Sequence, residues 1–428
     1  MRLLTCCLLL CLVAACSDDN KKEVLLEGER IEVLDRENGL EPDESAEGET
    51  ISIPSFSVNN VWEQVGGGVV NNQGNLAIRT TEVADSVTVG KGYDWSSHLV
   101  AQPIIAEDTI FAMDGRGYIS AHVLKDISTK KWVSDTLAAN DEAPLIGGGM
   151  AYLDGVVYAT SGRGWIAALD AKSGKQLWRL AQGIPIRAAP RVVNGWLIAV
   201  TVDNQTLAVN AKTGRVIWTH RGISETAGFL ANIAPAIVGE SVVVPYSSGE
   251  LIALDIATGT QRWMDMIVSE RKTSALSRFT GITALPIVHE GAVYSLHASG
   301  MLAAHIAENG ASLWERRMTS YHTPWIVGDY MVVVTNDDEL ALLRHRSGEI
   351  VWVKQLEKEE KETRWLDPVV AGNHIQLGNS AGEMRVYDHQ NGELVTQYDI
   401  PSNAVSMPIV AQGGMYFLTQ DATLYGLY

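Results

Sequence analysis

Along this chain, short runs of large apolar residues alternating with small ones return at regular intervals. Each is followed by a polar turn and then by an amphipathic run that opens on tryptophan. The first clear copy runs from Ser161 to Trp178 and reads SGRGWIAALDAKSGKQLW. Its stretch from Trp165 to Leu169 suits a strand buried on both faces, where neighbouring sheets must approach closely. Asp170 and Gly174 then make the turn. A short carboxylate bonds backbone N–H groups two or three residues on, and glycine takes the positive φ that closes a hairpin loop of this length. Further copies read VDNQTLAVNAKTGRVIW, SSGELIALDIATGTQRW, ASGMLAAHIAENGASLW and NDDELALLRHRSGEIVW, ending at Trp218, Trp263, Trp314 and Trp352.

A second marker runs in phase with the first. Pro103, Pro144, Pro190, Pro235, Pro286, Pro324, Pro368 and Pro408 each precede apolar residues, at spacings of 38 to 51 residues. That is the period of one four-stranded propeller blade. Proline has no N–H to give a ladder, so it fits the start of a strand, here the one nearest the central channel. The expected fold is therefore all-β, an eight-bladed β-propeller of four-stranded antiparallel blades. Blade 1 starts at Pro103 and reaches Trp132. In blade 7 Thr396 stands where tryptophan is expected, and Tyr398, on the same face, is placed to fill its space. Blade 8, from Pro408 to Tyr428, has only three strands, so an N-terminal strand must complete it. The apolar pattern of Asn60-Val61-Trp62-Glu63 nominates that segment, with residues 66–99 crossing over to blade 1 and Trp95 as an anchor.

Ahead of the propeller, Arg2 and the apolar run Leu3 to Ala15 form a signal-peptide pattern too short to span a bilayer. It ends in Val13-Ala14-Ala15-Cys16, which resembles the bacterial lipobox whose cysteine is acylated. All four cysteines (Cys6, Cys7, Cys11, Cys16) lie here, so cleavage before Cys16 leaves neither a disulfide nor a thiolate metal site. Ser17 follows where lipoproteins retained in the inner membrane usually carry Asp, which implies sorting to the outer membrane. Residues 17–50 hold thirteen acids against four bases, giving half of the formal net charge of −18. Such a segment reads as an extended tether. The expected organisation is a signal peptide over 1–15, a lipidated tether over 16–50 and the propeller over 51–428. The island GERIEVL at 28–34 is a candidate short strand or a segment that docks on the propeller. The overall acidity argues against a nucleic-acid groove, which needs a basic face.

Residues with chemistry are few. Ten histidines are scattered without a His-x-His or His-Glu-x-x-His pattern, and the sequence has no carboxylate cluster at ligand spacing. His345 and His389 fall at the turn position of Ala171 and are explained by the repeat. The Ser-Gly pairs are hairpin turns rather than nucleophile elbows. Six of the twelve tryptophans sit at the outer-strand position, where blade-to-blade packing accounts for them.

The repeat SGELIALDIATGTQRW resembles the pyrroloquinoline-quinone-type propeller repeat. Lipobox, acidic tether and eight such blades together resemble the BamB-type lipoproteins of the outer-membrane β-barrel assembly machine. VWEQVGG and GERIEVL resemble the alphaproteobacterial form of that family. The resemblance implies a non-enzymatic scaffold, without cofactor or metal, on the periplasmic face of the outer membrane. Its implied partners are the POTRA domains of BamA and unfolded outer-membrane proteins. Enzymes share the repeat, so a quinone- and calcium-dependent dehydrogenase is the competing reading, and an anchored sensor or polysaccharide-binding propeller a third. The dehydrogenases resemble one another in an adjacent Cys-Cys disulfide and acidic calcium ligands, neither of which the mature chain carries.

The stretch GIPIRAAP, residues 183–190, matches the hydrophobic-x-hydrophobic-Arg loop by which BamB-type proteins contact BamA. It makes Ile184, Ile186 and Arg187 the expected partner-binding residues. In the loop before blade 5 the sequence departs from the family: Gly281 and Thr283 stand where acidic residues are expected, leaving Arg278 or Ile282 as the contributors there.

Overall fold

Each copy of the repeat folds into four antiparallel strands, and eight such sheets follow one another along the chain. The computed structural model describes residues 39–46, 48–79, 82–92, 97–98, 101–134, 145–224, 233–266, 281–357, 363–404 and 407–428. The signal segment with Cys16, the 28–34 island, Trp95, Pro144 and Arg278 lie outside the described residues. Blades 1 to 7 span residues 104–134, 148–181, 191–221, 236–266, 287–317, 325–355 and 369–399, and residues 409–427 supply three strands of blade 8. The expected eight-bladed all-β propeller is the architecture found. Seven of the periodic prolines stand immediately before an innermost strand.

The Gly-x-x-x-Trp repeat has a direct structural cause. The indoles of Trp132, Trp178, Trp218, Trp263, Trp314 and Trp352 donate to the carbonyls of Ala171, Ala211, Ile256, Ala307, His345 and His389, each in the next blade's turn, at 2.8–3.0 Å. The turn glycine of that next blade lies flat against the same indole. Gly214, for example, has φ +71°, and a Cβ on it would stand 2.6 Å from Trp178 Cε3. Gly214→Ala is expected to cost about 2–4 kcal/mol, combining the left-handed backbone with overpacking against the ring. Denaturant melts measure it; a loss below ~0.5 kcal/mol would remove this account of the repeat. In blade 7 Thr396 is exposed, while Tyr398 is half-buried with its hydroxyl 4.0 Å from Met415 of blade 8.

The ring closes through an N-terminal strand, but a different one from that expected. Val83–Thr88 pairs antiparallel with Thr423–Leu427, with Thr88 opposite Thr423. It carries the half-exposed alternation of the other outer strands. The segment at 60–63 fails as an outer strand because Trp62 belongs in the interior: it is fully buried and pairs with Ile105 on the innermost strand of blade 1.

Residues 59–79 instead make one circuit of the channel, touching the blades in order. Asn59 bonds Val410 and Gln412 of blade 8; Trp62 bonds Ile105 of blade 1; the Glu63 carbonyl accepts from Tyr152 of blade 2. Gln64 pairs with Val192 of blade 3, Val69 with Ile237 of blade 4, Val70 with Val288 of blade 5 and Asn72 with Ile326 of blade 6. Leu76 then bonds Val370 and Gly372 of blade 7, and Arg79 returns to Gly413 of blade 8. Every blade offers the channel an unpaired strand edge, and unpaired buried backbone groups are costly. The circuit bonds to each of the eight edges with the chain's own polar groups.

Arg191 holds the circuit in place. Its side chain is wholly buried, donating to the carbonyls of Pro235 at 2.5 Å, Val65 at 2.8 Å and Gly68 at 3.0 Å, and to Asn71 Oδ1. Burial lowers its pKa to about 9, which leaves it cationic at neutral pH.

The compact unit that holds the propeller also takes in residues ahead of position 51. From Leu40 the chain already belongs to the propeller unit. Asp43 pairs with Arg316 and accepts from the Ile350 N–H, Glu49 pairs with Arg344 and Tyr330, and Ala46 and Ile51 are buried. The carboxylates expected to repel one another along a free tether are, at 43 and 49, spent on propeller cations.

Candidate partner-docking rim

The connection from blade 2 to blade 3 is pinned along most of its length. After the outer strand Gln176–Ala181, Gln182 and Gly183 donate to the Gly164 carbonyl at 2.7 and 3.0 Å. Ile186 pairs with Thr201, and the Arg187 N–H donates to Val200 O at 3.0 Å. The expected apolar pair therefore splits. Ile184 is half-buried and Pro185 exposed, whereas Ile186 is fully buried among core residues of blades 2 and 3.

Arg187 is buried too, at 4% exposure, and its guanidinium donates to the Pro245 carbonyl of blade 4 at 2.8 Å. Burial pushes its pKa down to about 10, with the nearby Tyr246 hydroxyl opposing the shift. Tyr246 is itself buried; its hydroxyl bonds Thr206 at 2.6 Å and His220 at 3.1 Å. Burial raises the Tyr246 pKa well above the usual phenol range and lowers that of His220. These groups form a polar underlayer that ties blades 2, 3 and 4 together.

Ile282 repeats the arrangement of Ile186. It pairs with His297 as Ile186 pairs with Thr201, as do Trp365 with Asn379 and Ala404 with Thr419. This recurring bridge before an innermost strand explains why an apolar residue stands there. Thr283 is buried and its hydroxyl donates to Ser320 O at 2.8 Å; Gly281 lies against the Ser247 backbone. Ile186, Arg187 and Ile282 thus give a partner almost no area.

What the rim offers outward is a different set. The Val202 N–H donates to Pro185 O at 2.9 Å, and Asn204 Nδ2 donates to Ile223 O at 2.7 Å, so the blade 3 turn joins the two connections flanking that blade. Ile184, Pro185, Val202 and Ile223 lie along this strip, and Ile223 is 51% exposed. Arg221 and Asp203 form an exposed ion pair beside it at 3.6 Å. The Ile223 N–H donates to the buried Glu250 at 2.7 Å, which fixes the backbone that presents it. Ile223 escaped sequence reasoning because it follows the outer strand singly; its signal was an isoleucine among polar neighbours in RGISE.

The sequence profile of the family described as outer membrane protein assembly factor BamB matches residues 126–355. The chain belongs to the BamB family. Among BamB proteins, that of Yersinia pestis is 23% identical over 79% of this chain and 87% of its own length. That of Escherichia coli is 24% identical over 81% and 89%. An uncharacterised protein of Rickettsia conorii is 26% identical over 77% and 83%. The fold of BamB from Moraxella catarrhalis superposes with a TM-score of 0.70 at 18% identity, covering 81% of this chain and 99% of that one. A quinohemoprotein alcohol dehydrogenase from Comamonas testosteroni has the same propeller fold, with a TM-score of 0.69 at 12% identity over 86% of this chain and 80% of that one. Among the described residues, no helix is long and apolar enough to cross a membrane.

Proposed function

We propose that this BamB-family chain is a non-catalytic scaffold in outer-membrane protein assembly. It is held at the periplasmic face of the outer membrane through a lipid on Cys16 and docks the POTRA domains of BamA with the rim of blades 2 to 4. The observation that carries this reading is the strip of Ile184, Pro185, Val202 and Ile223 on an immobile polar base. A few apolar side chains with fixed backbones, flanked on one side by an ion pair, have the make-up of a compact hot spot. Ile184 and Ile223 make the contact, and Ile186, Arg187 and Ile282 hold the loops that present it. Arg278 is the candidate cation of the neighbouring loop.

The dehydrogenase reading has the propeller fold in its favour and the chain's interior against it. The inner edges of all eight blades are bonded by residues 59–79, with Arg191, Trp62 and Gln64 buried among them. Beyond Cys16 the sequence has no cysteine to form a vicinal disulfide.

Affinity purification from detergent-solubilised membranes tests the reading. The chain should recover BamA and its assembly partners, and a Cys16→Ala form should leave the membrane fraction once those partners are depleted. A single acyl chain binds only marginally, but several acyl chains hold stably. Recovery without BamA, together with quinone-dependent dye reduction, would reverse the assignment.

A further inference from the structure

We propose that His289, Glu290 and His345 form a binding site for one divalent transition-metal ion of the zinc type, clamping blade 5 to blade 6. His289 ends the innermost strand Ile287–His289 of blade 5, and Glu290 follows it in the turn. His345 follows the strand Glu339–Arg344 of blade 6. One nitrogen from each ring and one carboxylate oxygen all lie within 4.8 Å of one another. The two rings meet edge to face with centroids 4.9 Å apart.

The nitrogens point to a ligand. Nε2 of His289 and Nε2 of His345 are both buried without a hydrogen-bond partner, and the His345 side chain is only 1% exposed. A buried polar atom left unpaired is costly, and two on neighbouring rings beside a carboxylate call for a shared partner. Glu290 Oε2 stands 3.8 Å from His345 Nε2, too far for a hydrogen bond.

The outer arrangement also fits a metal. His345 Nδ1 lies 2.7 Å from the Tyr294 hydroxyl; with its proton on Nδ1 donated there, Nε2 is left as a lone pair, the form that binds a cation. The His345 backbone is fixed by its N–H to Asp329 O at 3.1 Å and by its carbonyl, which accepts from the Trp314 indole at 2.9 Å. Arg346 pairs with Glu290 and reaches Asp329 at 3.7 Å, holding the carboxylate at the mouth. Ligands on a tetrahedral zinc are about 3.4 Å apart given bonds of roughly 2.0–2.2 Å, so small side-chain rotations close the site, with water in the fourth position. Two imidazoles with one carboxylate select zinc-like ions over magnesium or calcium. The sequence hid this set because its members come from different blades and meet only across the interface.

Untagged full-length protein, stripped with chelator and desalted, should be titrated with zinc against a chromophoric competitor. One equivalent should bind at micromolar or lower Kd, and the melting temperature should climb with free zinc. His289→Gln and the surface change Glu290→Gln should each weaken binding at least about tenfold, and Tyr294→Phe about tenfold through the His345 ring. Should His345→Ala fail to fold, the Glu290 and His289 variants still decide. No stoichiometric zinc at about 100 μM, or equal affinity in these variants, overturns the site.

Discussion

Replacing Arg191 by methionine should destabilise the propeller by about 3–5 kcal/mol, the range for stripping a buried cation from the groups that depend on it. Methionine fills most of the space, so packing is nearly preserved. What is lost are the donors to Pro235, Val65, Gly68 and Asn71, which join blade 3, blade 4 and the channel circuit. Three backbone carbonyls would then be left without that partner in the interior. Arg191→Lys should recover only part of the loss, because one ammonium cannot reach four acceptors set out for a planar fork. Denaturant midpoints measure both, and limited proteolysis reports whether residues 59–79 open first. A loss under ~1 kcal/mol for the methionine variant would mean that the circuit is held by something other than Arg191.

The outer ring of the fold was legible because its rules are local and repeat. The contact of Gly214 with Trp178 has its counterpart at six successive blade junctions, so one contact is written several times over. The channel circuit was not legible for the opposite reason. Residues 59–79 touch eight different blades with one or a few bonds each at irregular intervals, so they carry no period. Their one loud residue, Trp62, reads equally well as an outer-strand tryptophan or as a channel plug. Only the position of Ile105 decides between these. The closing strand Val83–Thr88 was quieter, because four of its six residues are exposed and none is fully buried.

The rim shows the same division. GIPIRAAP stood out as an apolar stretch in a connection, but the sequence did not say which of its isoleucines faces out. Ile186 is turned inward by its pairing with Thr201, a relation visible only once blades 2 and 3 stand side by side. Arg187, expected at the partner contact, instead spans to Pro245 of blade 4.

The second large effect is expected at Ile184 and Ile223. Truncating either to alanine should weaken POTRA binding by about 1–3 kcal/mol, and a charge at either position should do more, since an unpaired carboxylate would be desolvated in the contact. Neither change should unfold the protein, because Ile184 is half-buried and Ile223 exposed. Ile186→Ala should behave in the opposite way, costing about 2–4 kcal/mol of stability through a core cavity while the folded fraction still binds.

The most direct test is calorimetric titration of the BamA POTRA domains with the wild-type chain and with the Ile184→Asp, Ile223→Asp double variant, with melting temperatures taken on the same samples. Saturable binding by the wild type, at least about a hundredfold weaker in the variant at an unchanged melting temperature, is the predicted result. Equal affinity in the two proteins, or no binding by the wild type, would contradict the docking of this rim.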